Sequence, residues 1–211
     1  MKVAELGKFF GVTDDQRCCF VGKTGSGKTQ LAKRMCLEFG SVLILDFKHT
    51  IRIPGIEITS DPKKLKGLGI EFTHIIFRVP YEWEQDDLDK LFKWAFTRED
   101  TTVYIDEGYS VGSASSFPKW LKIIAVQGRE KHVGLWTLFQ RPRGVPVFLV
   151  SEAEHLFVFY LNRPEDRAYI DEMAEYAIDW DKINPNKGNQ FKFYHIQIGK
   201  EPKGPYKIRE V

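Results

Sequence analysis

The sequence predicts an α/β fold with a mostly parallel central sheet and helices on both faces, and three observations predict it. Apolar, β-branched runs alternate with helical patterns from Arg17 onward, the signature of strands joined by crossover helices. The first run, CCFV, leads into the glycine-rich GKTGSGKT of residues 22–29 and then into QLAKRMCLEF, a strand–loop–helix order. The last stretch changes character: FKFYHIQI alternates like a half-buried strand between Pro185, Asn186, Gly188 and the P-K-G-P of 202–205, which predicts a hairpin on the sheet edge.

Taken along the chain, an N-terminal segment, 1–16, precedes strands expected at 17–22, 41–46, 73–79, 101–105, 134–139 and 155–161. The expected helices are 28–39, 86–97 and 117–130, with another beginning at Pro164, a residue suited to the first helical position. The helix over 86–97, DDLDKLFKWAFT, opens on acids that complement the positive end of a helix dipole. Residues 17–181 then form the core and 182–211 an extension of the same domain. That extension carries seven basic side chains against two acidic ones, a net +5, which suits either a lysine-protected sheet edge or a nucleic-acid patch.

Composition excludes several classes. Of 211 residues, 43% are hydrophobic and 14% aromatic, too many for a disordered chain. A formal net charge of +2 excludes a polycation that coats nucleic acid indiscriminately, so any polyanion site is local. No apolar run reaches the roughly 18 to 20 residues of a membrane span, and the start, MKVAELGKFFGVTDD, lacks the apolar block of a signal peptide. A cytoplasmic protein is expected. Three cysteines and five scattered histidines give neither a disulfide framework nor zinc spacing.

GKTGSGKT satisfies G-x-x-x-x-G-K-[ST], a Walker A motif. Gly22, Gly25 and Gly27 let the backbone wrap closely round phosphates, so that N–H groups and a helix N-terminus face negative oxygens. Lys28 is expected to neutralise the β- and γ-phosphates of ATP, and the Thr29 hydroxyl to ligate Mg²⁺. Lys23, Thr24, Ser26 and Gln30 complete the cradle, with Thr24, Ser26 and Gln30 shaping it through local bonds.

The discriminating residues must come from other strand ends. In TTVYIDEGY, Asp106 stands at a strand's C-terminal end, where it would hold magnesium through its water shell. Glu107 follows, placed to orient and deprotonate an attacking water. One strand later, HVGLWTLFQRP ends an apolar run on Gln140, whose amide can bond to the γ-phosphate or the water and report hydrolysis. A guanine-reading N-K-x-D is absent, since NKGN at 186–189 lacks the aspartate. Aromatic residues near the site would stack on adenine, but the sequence does not say which.

Together GKTGSGKT, LILDFKH, VYIDEGY and QGREKHVGLWTLFQRP resemble the FtsK/HerA superfamily of ring-forming DNA-pumping ATPases, and within it the small genome-packaging ATPases of double-jelly-roll icosahedral viruses. The resemblance spans roughly residues 17–161, and VPVFLVSEAEHLFVFYLN continues it. It departs at Phe47, where the family usually has proline, and at His49, where glycine is common, so less is carried onto Asp46 and Lys48. Neither a winged-helix DNA-reading domain nor an N-terminal barrel is expected, which favours the minimal viral type.

The resemblance implies a RecA-like P-loop NTPase fold and a ring homo-oligomer, such as a hexamer, that packages double-stranded viral DNA into a preformed capsid. It implies a cytoplasmic or virion-vertex location and a capsid-vertex or membrane anchor partner. A neighbour's arginine would complete each site; Arg129 in QGREK is the first candidate, with Arg141 and Arg143 as rivals. DNA contacts should be to phosphate and sugar, and the loop after Glu107 offers Tyr109, Ser113, Ser115, Ser116 and Lys119, with Gly108 and Gly112 letting it shift. A serine-rich surface turn is the alternative. The competing functions are a cellular or plasmid DNA-transfer ATPase of the same superfamily, a P-loop kinase of small molecules, and a non-catalytic nucleotide switch or virion subunit.

Overall fold

The computed structural model describes residues 6–67 and 73–208. Arg209 and Glu210 of the charged extension, and residues 1–5 of the N-terminal segment, lie outside them. The strands are β1 (Arg17–Val21), β2 (Val42–Asp46), β3 (Glu57–Thr59), β4 (His74–Arg78), β5 (Thr102–Ile105), β6 (Leu135–Phe139), β7 (His155–Phe159), β8 (Lys192–Gln197) and β9 (Lys203–Lys207). The helices are α1 (Leu6–Phe10), α2 (Lys28–Cys36), α3 (Pro62–Gly67), α4 (Gln85–Arg98), α5 (Lys119–Gln127), α6 (Phe148–Ser151) and α7 (Pro164–Ala174).

One sheet takes the order β3-β4-β2-β5-β6-β1-β7-β8-β9. The pairings from β3 to β7 are parallel, and the C-terminal hairpin adds β8 and β9 antiparallel at one edge, as the turn residues predicted. The six expected strands are found, each within its expected span. The sequence missed β3, three residues at the other edge whose burial rises from exposed Glu57 to buried Thr59, too short for a periodic signal.

Alternation along the strands creates two cores. Cys19, Val21, Leu43, Leu45, Phe77 and Ile105 face a cluster closed by α4, α5, α6 and α7. Their neighbours Cys18, Phe20, Ile44, Ile76, Tyr104 and Trp136 face a cluster closed by α1 and α2. This is the two-sided burial of a parallel sheet, and it explains why the strands read as continuous apolar runs. In α2, Leu31, Ala32, Met35 and Cys36 are buried, spaced as one face of a helix. In α4, Leu88, Leu91, Phe92 and Ala95 do the same, and a capping box between Glu84 and Asp87 fixes its start.

Every functional candidate at a strand's C-terminal end is gathered by the central five strands. Their order, β2-β5-β6-β1-β7, lines up along one edge the Asp46–Lys48 turn, the Asp106–Glu107 pair, Gln140, the 22–27 loop and Tyr160. β6 comes later in sequence than β5, yet it lies between β5 and β1.

Candidate active site

The glycine-rich loop connects β1 to α2 and is held at its base by the two flanking strands. Gly22 N–H donates to Phe139 O at 3.1 Å, and Lys23 N–H to Tyr160 O at 2.9 Å. Gly22 has φ 155°, and a Cβ there would lie 2.5 Å from the Phe159 Cβ, so only glycine fits. Gly27, at φ 104°, turns the chain into α2. The Ser26 Oγ is buried without a hydrogen-bond partner, a donor that a phosphate oxygen would satisfy.

Lys28 lies inside this loop. Its Nζ donates to Gly22 O at 2.6 Å and Lys23 O at 3.0 Å. Burial pushes its ammonium down to about 8, opposed by the negative charges of Glu107 and Asp106, so at neutral pH it still carries the charge a polyphosphate needs.

Thr29 Oγ1 donates to Asp106 Oδ1 at 2.8 Å, and Tyr104 Oη donates to the same oxygen at 3.0 Å. Burial raises the Asp106 carboxyl above its ordinary range, and these two bonds partly offset the rise. Among the described residues no group of three or more His, Cys, Asp or Glu side chains is placed to hold a metal. One hydroxyl and one carboxylate in contact nevertheless fit Mg²⁺, which binds through few protein oxygens when phosphates and water supply the rest.

Glu107 adopts φ 118° and ψ 75°, a conformation disfavoured for a residue with a side chain and found disproportionately at functional sites. Its Oε2 is ion-paired with Lys48 Nζ and accepts from Gln140 Nε2 at 3.2 Å. The Gln140 Oε1 in turn accepts from Thr24 Oγ1 at 2.8 Å. Thr24 therefore acts across the site, where the sequence suggested a local bond. Gln30 is exposed.

Two cavities flank Lys23 and Thr24. One, about 260 Å³, runs from Lys23–Ser26 to Tyr160, Ile183, Pro185, Gln190 and Phe191. Tyr160, Ile183, Pro185 and Phe191 give it an apolar and aromatic side beside the phosphate loop, and Asn189, Gln190 and Lys192 add polar groups, a combination that suits a nucleobase. The Arg167 guanidinium lies over the Tyr160 ring, 4.6 Å from its centroid. Sequence reasoning missed these residues; the only local signal was an aromatic directly after a strand. The other cavity, about 390 Å³, is bounded by Gln140, Arg141, Asn162, Arg163 and Asp166.

The arginine candidates separate. Arg129 lies in the 3-10 turn Gly128–Lys131 before β6, at the opposite edge of the sheet from the loop, where its guanidinium reaches Glu154 at 3.3 Å and Asp15 at 3.9 Å. Arg141 borders the polar cavity, 3.8 Å from the Asp166 carboxylate. Arg143 sits in the 3-10 turn Pro142–Gly144.

The loop after Glu107 departs from expectation in two places. Tyr109 Oη donates to Arg141 O at 2.6 Å, so its hydroxyl is committed to the turn after β6. Gly108 is there for contact, not for freedom: a Cβ would fall 1.8 Å from the Phe139 ring. Gly112, at φ 147°, does need glycine's range. Ser113, Ser115 and Ser116 are exposed at the tip, where Ser113 and Ser116 close a tight turn, and Lys119 is exposed at the start of α5.

No family model matches the chain. The DNA packaging ATPase P9 of Enterobacteria phage PRD1 is 28% identical over 164 residues, which span 73% of this chain and 68% of that protein. The chain is homologous to a phage DNA packaging ATPase. Its fold is that of the packaging NTPases: the genome packaging NTPase B204 from Sulfolobus turreted icosahedral virus 2 in complex with AMPPCP superposes with a TM-score of 0.75 at 18% identity, covering 93% of this chain and 100% of that one. The same NTPase in complex with ATP-gammaS gives 0.70 at 19%, covering 94% and 100%. EssC (ATPases 2 and 3) from Geobacillus thermodenitrificans shares the fold more distantly, with a TM-score of 0.55 at 14% identity over 87% of this chain and 38% of that one. The resemblance to the small viral genome-packaging ATPases drawn from the motifs is thereby borne out.

Proposed function

We propose that this packaging-ATPase homologue is an ATP-driven DNA translocase that packages double-stranded viral DNA into a preformed capsid, working as a ring of identical subunits. The observation that carries the reading is the convergence of Lys28, the Thr29–Asp106 pair and the Glu107–Gln140 pair at neighbouring strand tips. Such a set suits hydrolysis of a triphosphate, whereas a small-molecule kinase does not need a base followed by a glutamine strand.

In this reading the loop 22–29 binds the phosphates through backbone N–H groups, and Lys28 neutralises the β- and γ-phosphates. Thr29 and Asp106 would hold Mg²⁺, which when bound neutralises phosphate charge. Glu107 accepts a proton from water as the water oxygen attacks the γ-phosphorus and the bond to the ADP oxygen breaks. Gln140 holds that carboxylate in place. A neighbour's arginine, Arg129 first, stabilises charge on the departing phosphoryl group. The exposed serines and Lys119 contact phosphate and sugar in the ring's lumen. The cavity at Tyr160 and Phe191 takes the base. A capsid-vertex or membrane protein anchors the ring, in the host cytoplasm or at the virion vertex; no described helix is long and apolar enough to cross a membrane.

The test is ATP hydrolysis with and without duplex DNA, alongside molar mass in solution with a non-hydrolysable nucleotide. DNA-stimulated phosphate release by a closed oligomer is expected. A monomer that transfers phosphate to a metabolite defeats the proposal.

A further inference from the structure

Two lysines lie near the carboxylates of the site, and the structure gives them different partners. Lys28 is bonded to carbonyls of its own loop. Lys48 is paired with Glu107. We propose that Lys48 is a positioning residue, whose ammonium fixes the Glu107 carboxylate in its working orientation without itself binding nucleotide. This rests on the reading of Glu107 as the group that activates water.

Topology brings the two residues together. β2 and β5 are adjacent and parallel, with Leu45 opposite Ile105, so Lys48 and Glu107 leave neighbouring strand tips within three residues of that pair. The turn that presents Lys48 is itself fixed. Asp46, fully buried, accepts from Thr50 N at 3.1 Å and Ile51 N at 2.9 Å. His49, at φ 56°, bonds through Nε2 to Val79 O at 2.8 Å and stacks on Tyr81 with centroids 4.4 Å apart. The turn is therefore tied to the end of β4 on one side while Lys48 reaches β5 on the other.

The carboxylate is gripped at one oxygen. Both the Lys48 ammonium and the Gln140 amide engage Oε2, an arrangement that leaves Oε1 to address a water. The Glu107 side chain is 15% exposed and the Lys48 side chain 51%, so the lysine reaches from solvent to a carboxylate that is itself mostly buried and has the Gln140 amide as a second partner. Loss of the ammonium would leave a mostly buried carboxylate held by one neutral donor on a strained backbone, free to swing. Misplacement of a reacting group by about 1 Å costs on the order of 10²-fold in rate.

The experiment compares full-length wild type with K48M, K48R, E107Q and the K48M/E107Q double variant, measuring kcat for phosphate release, equilibrium affinity for ADP and for a non-hydrolysable ATP analogue, and thermal melting. K48M is expected to lower kcat by about 10²-fold while both affinities and the melting temperature stay near wild type. K48R, which keeps the charge, should recover most of the loss. On the E107Q background, K48M should change nothing further, since both act through one group. Weakened binding of the ATP analogue alone would assign Lys48 to the γ-phosphate and overturn the proposal, as would additive losses in the double variant. Wild-type turnover by E107Q would instead overturn the reading of Glu107 itself.

Discussion

The side-chain amide of Gln140 joins Glu107 to the phosphate loop. Its Nε2 donates to Glu107 Oε2 at 3.2 Å while its Oε1 accepts from Thr24 Oγ1 at 2.8 Å. A change in the loop at Thr24 therefore reaches the carboxylate through one planar group.

That bridge predicts the behaviour of Gln140→Ala. Loss of a single positioned donor at such a site costs about 10²-fold in kcat, so turnover should fall by that order while nucleotide affinity, which rests on the loop, stays within a few-fold. Steady-state phosphate release and nucleotide titration measure the two separately. An unchanged kcat would mean that Gln140 only fills the strand tip.

Arg129 can act on a site only from a neighbouring subunit, because within its own chain it lies at the far edge of the sheet. Arg129→Ala should therefore lose on the order of 10³-fold in turnover with nucleotide binding intact. Mixing it with Lys28→Ala should restore activity, since some interfaces then join an intact loop to an intact arginine. If the mixture stays silent and Arg141→Ala shows the loss instead, the finger is Arg141.

Gly108→Ala places a methyl group against the Phe139 ring, where a Cβ would lie 1.8 Å from a ring carbon. Overpacking of this kind costs about 1–3 kcal/mol, and the backbone shift would also move Glu107 next door. A lower urea midpoint together with reduced turnover is expected. Wild-type stability would show that the ring yields without cost.

A buried histidine pair predicts a sensitivity to acid. His155 Nδ1 and His195 Nε2 lie 2.9 Å apart, and His155 Nε2 lies 3.0 Å from Gln16 Oε1. Burial pushes His155 down to about 4 and His195 to about 3, in the latter reinforced by the charge of His155. Above the ordinary histidine value of about 6.5 both states are neutral and nothing is lost. Between there and 3 to 4 the unfolded chain takes up protons that the folded one refuses, so stability falls as pH falls. Urea midpoints measured from pH 7.5 to 4.5 should decline, and the decline should flatten in His155→Gln/His195→Gln. A profile equally steep in the double variant would place the acid sensitivity elsewhere.

Much of the architecture was legible along the chain. The strands β1, β2, β4, β5, β6 and β7, the helix starting at Pro164 and the edge hairpin each announce themselves through local patterns: apolar runs, a proline at a helix start, prolines and glycines at turns. The three-residue β3 did not, because its pairing with β4 depends on a neighbour that is distant in sequence. The helix expected over 117–130 begins at Lys119 and gives way to a 3-10 turn at Gly128. There a Cβ would lie 2.4 Å from Val133 O, a tertiary contact that no helical periodicity reports.

The phosphate loop and the Asp106–Glu107 tip were legible in the residues alone, because glycine spacing, a chemical demand of phosphate, and an acidic pair ending an apolar strand are all local. Which of these side chains meet was settled by folding. Inserting β6 between β5 and β1 brings Gln140 between Glu107 and Thr24, and pairing β2 with β5 brings Lys48 to the carboxylate. The turn 183–191 joins Tyr160 to wall a cavity beside the loop. These are long-range partnerships fixed by strand order, and strand order follows from how two buried faces are covered, which is a property of the folded whole.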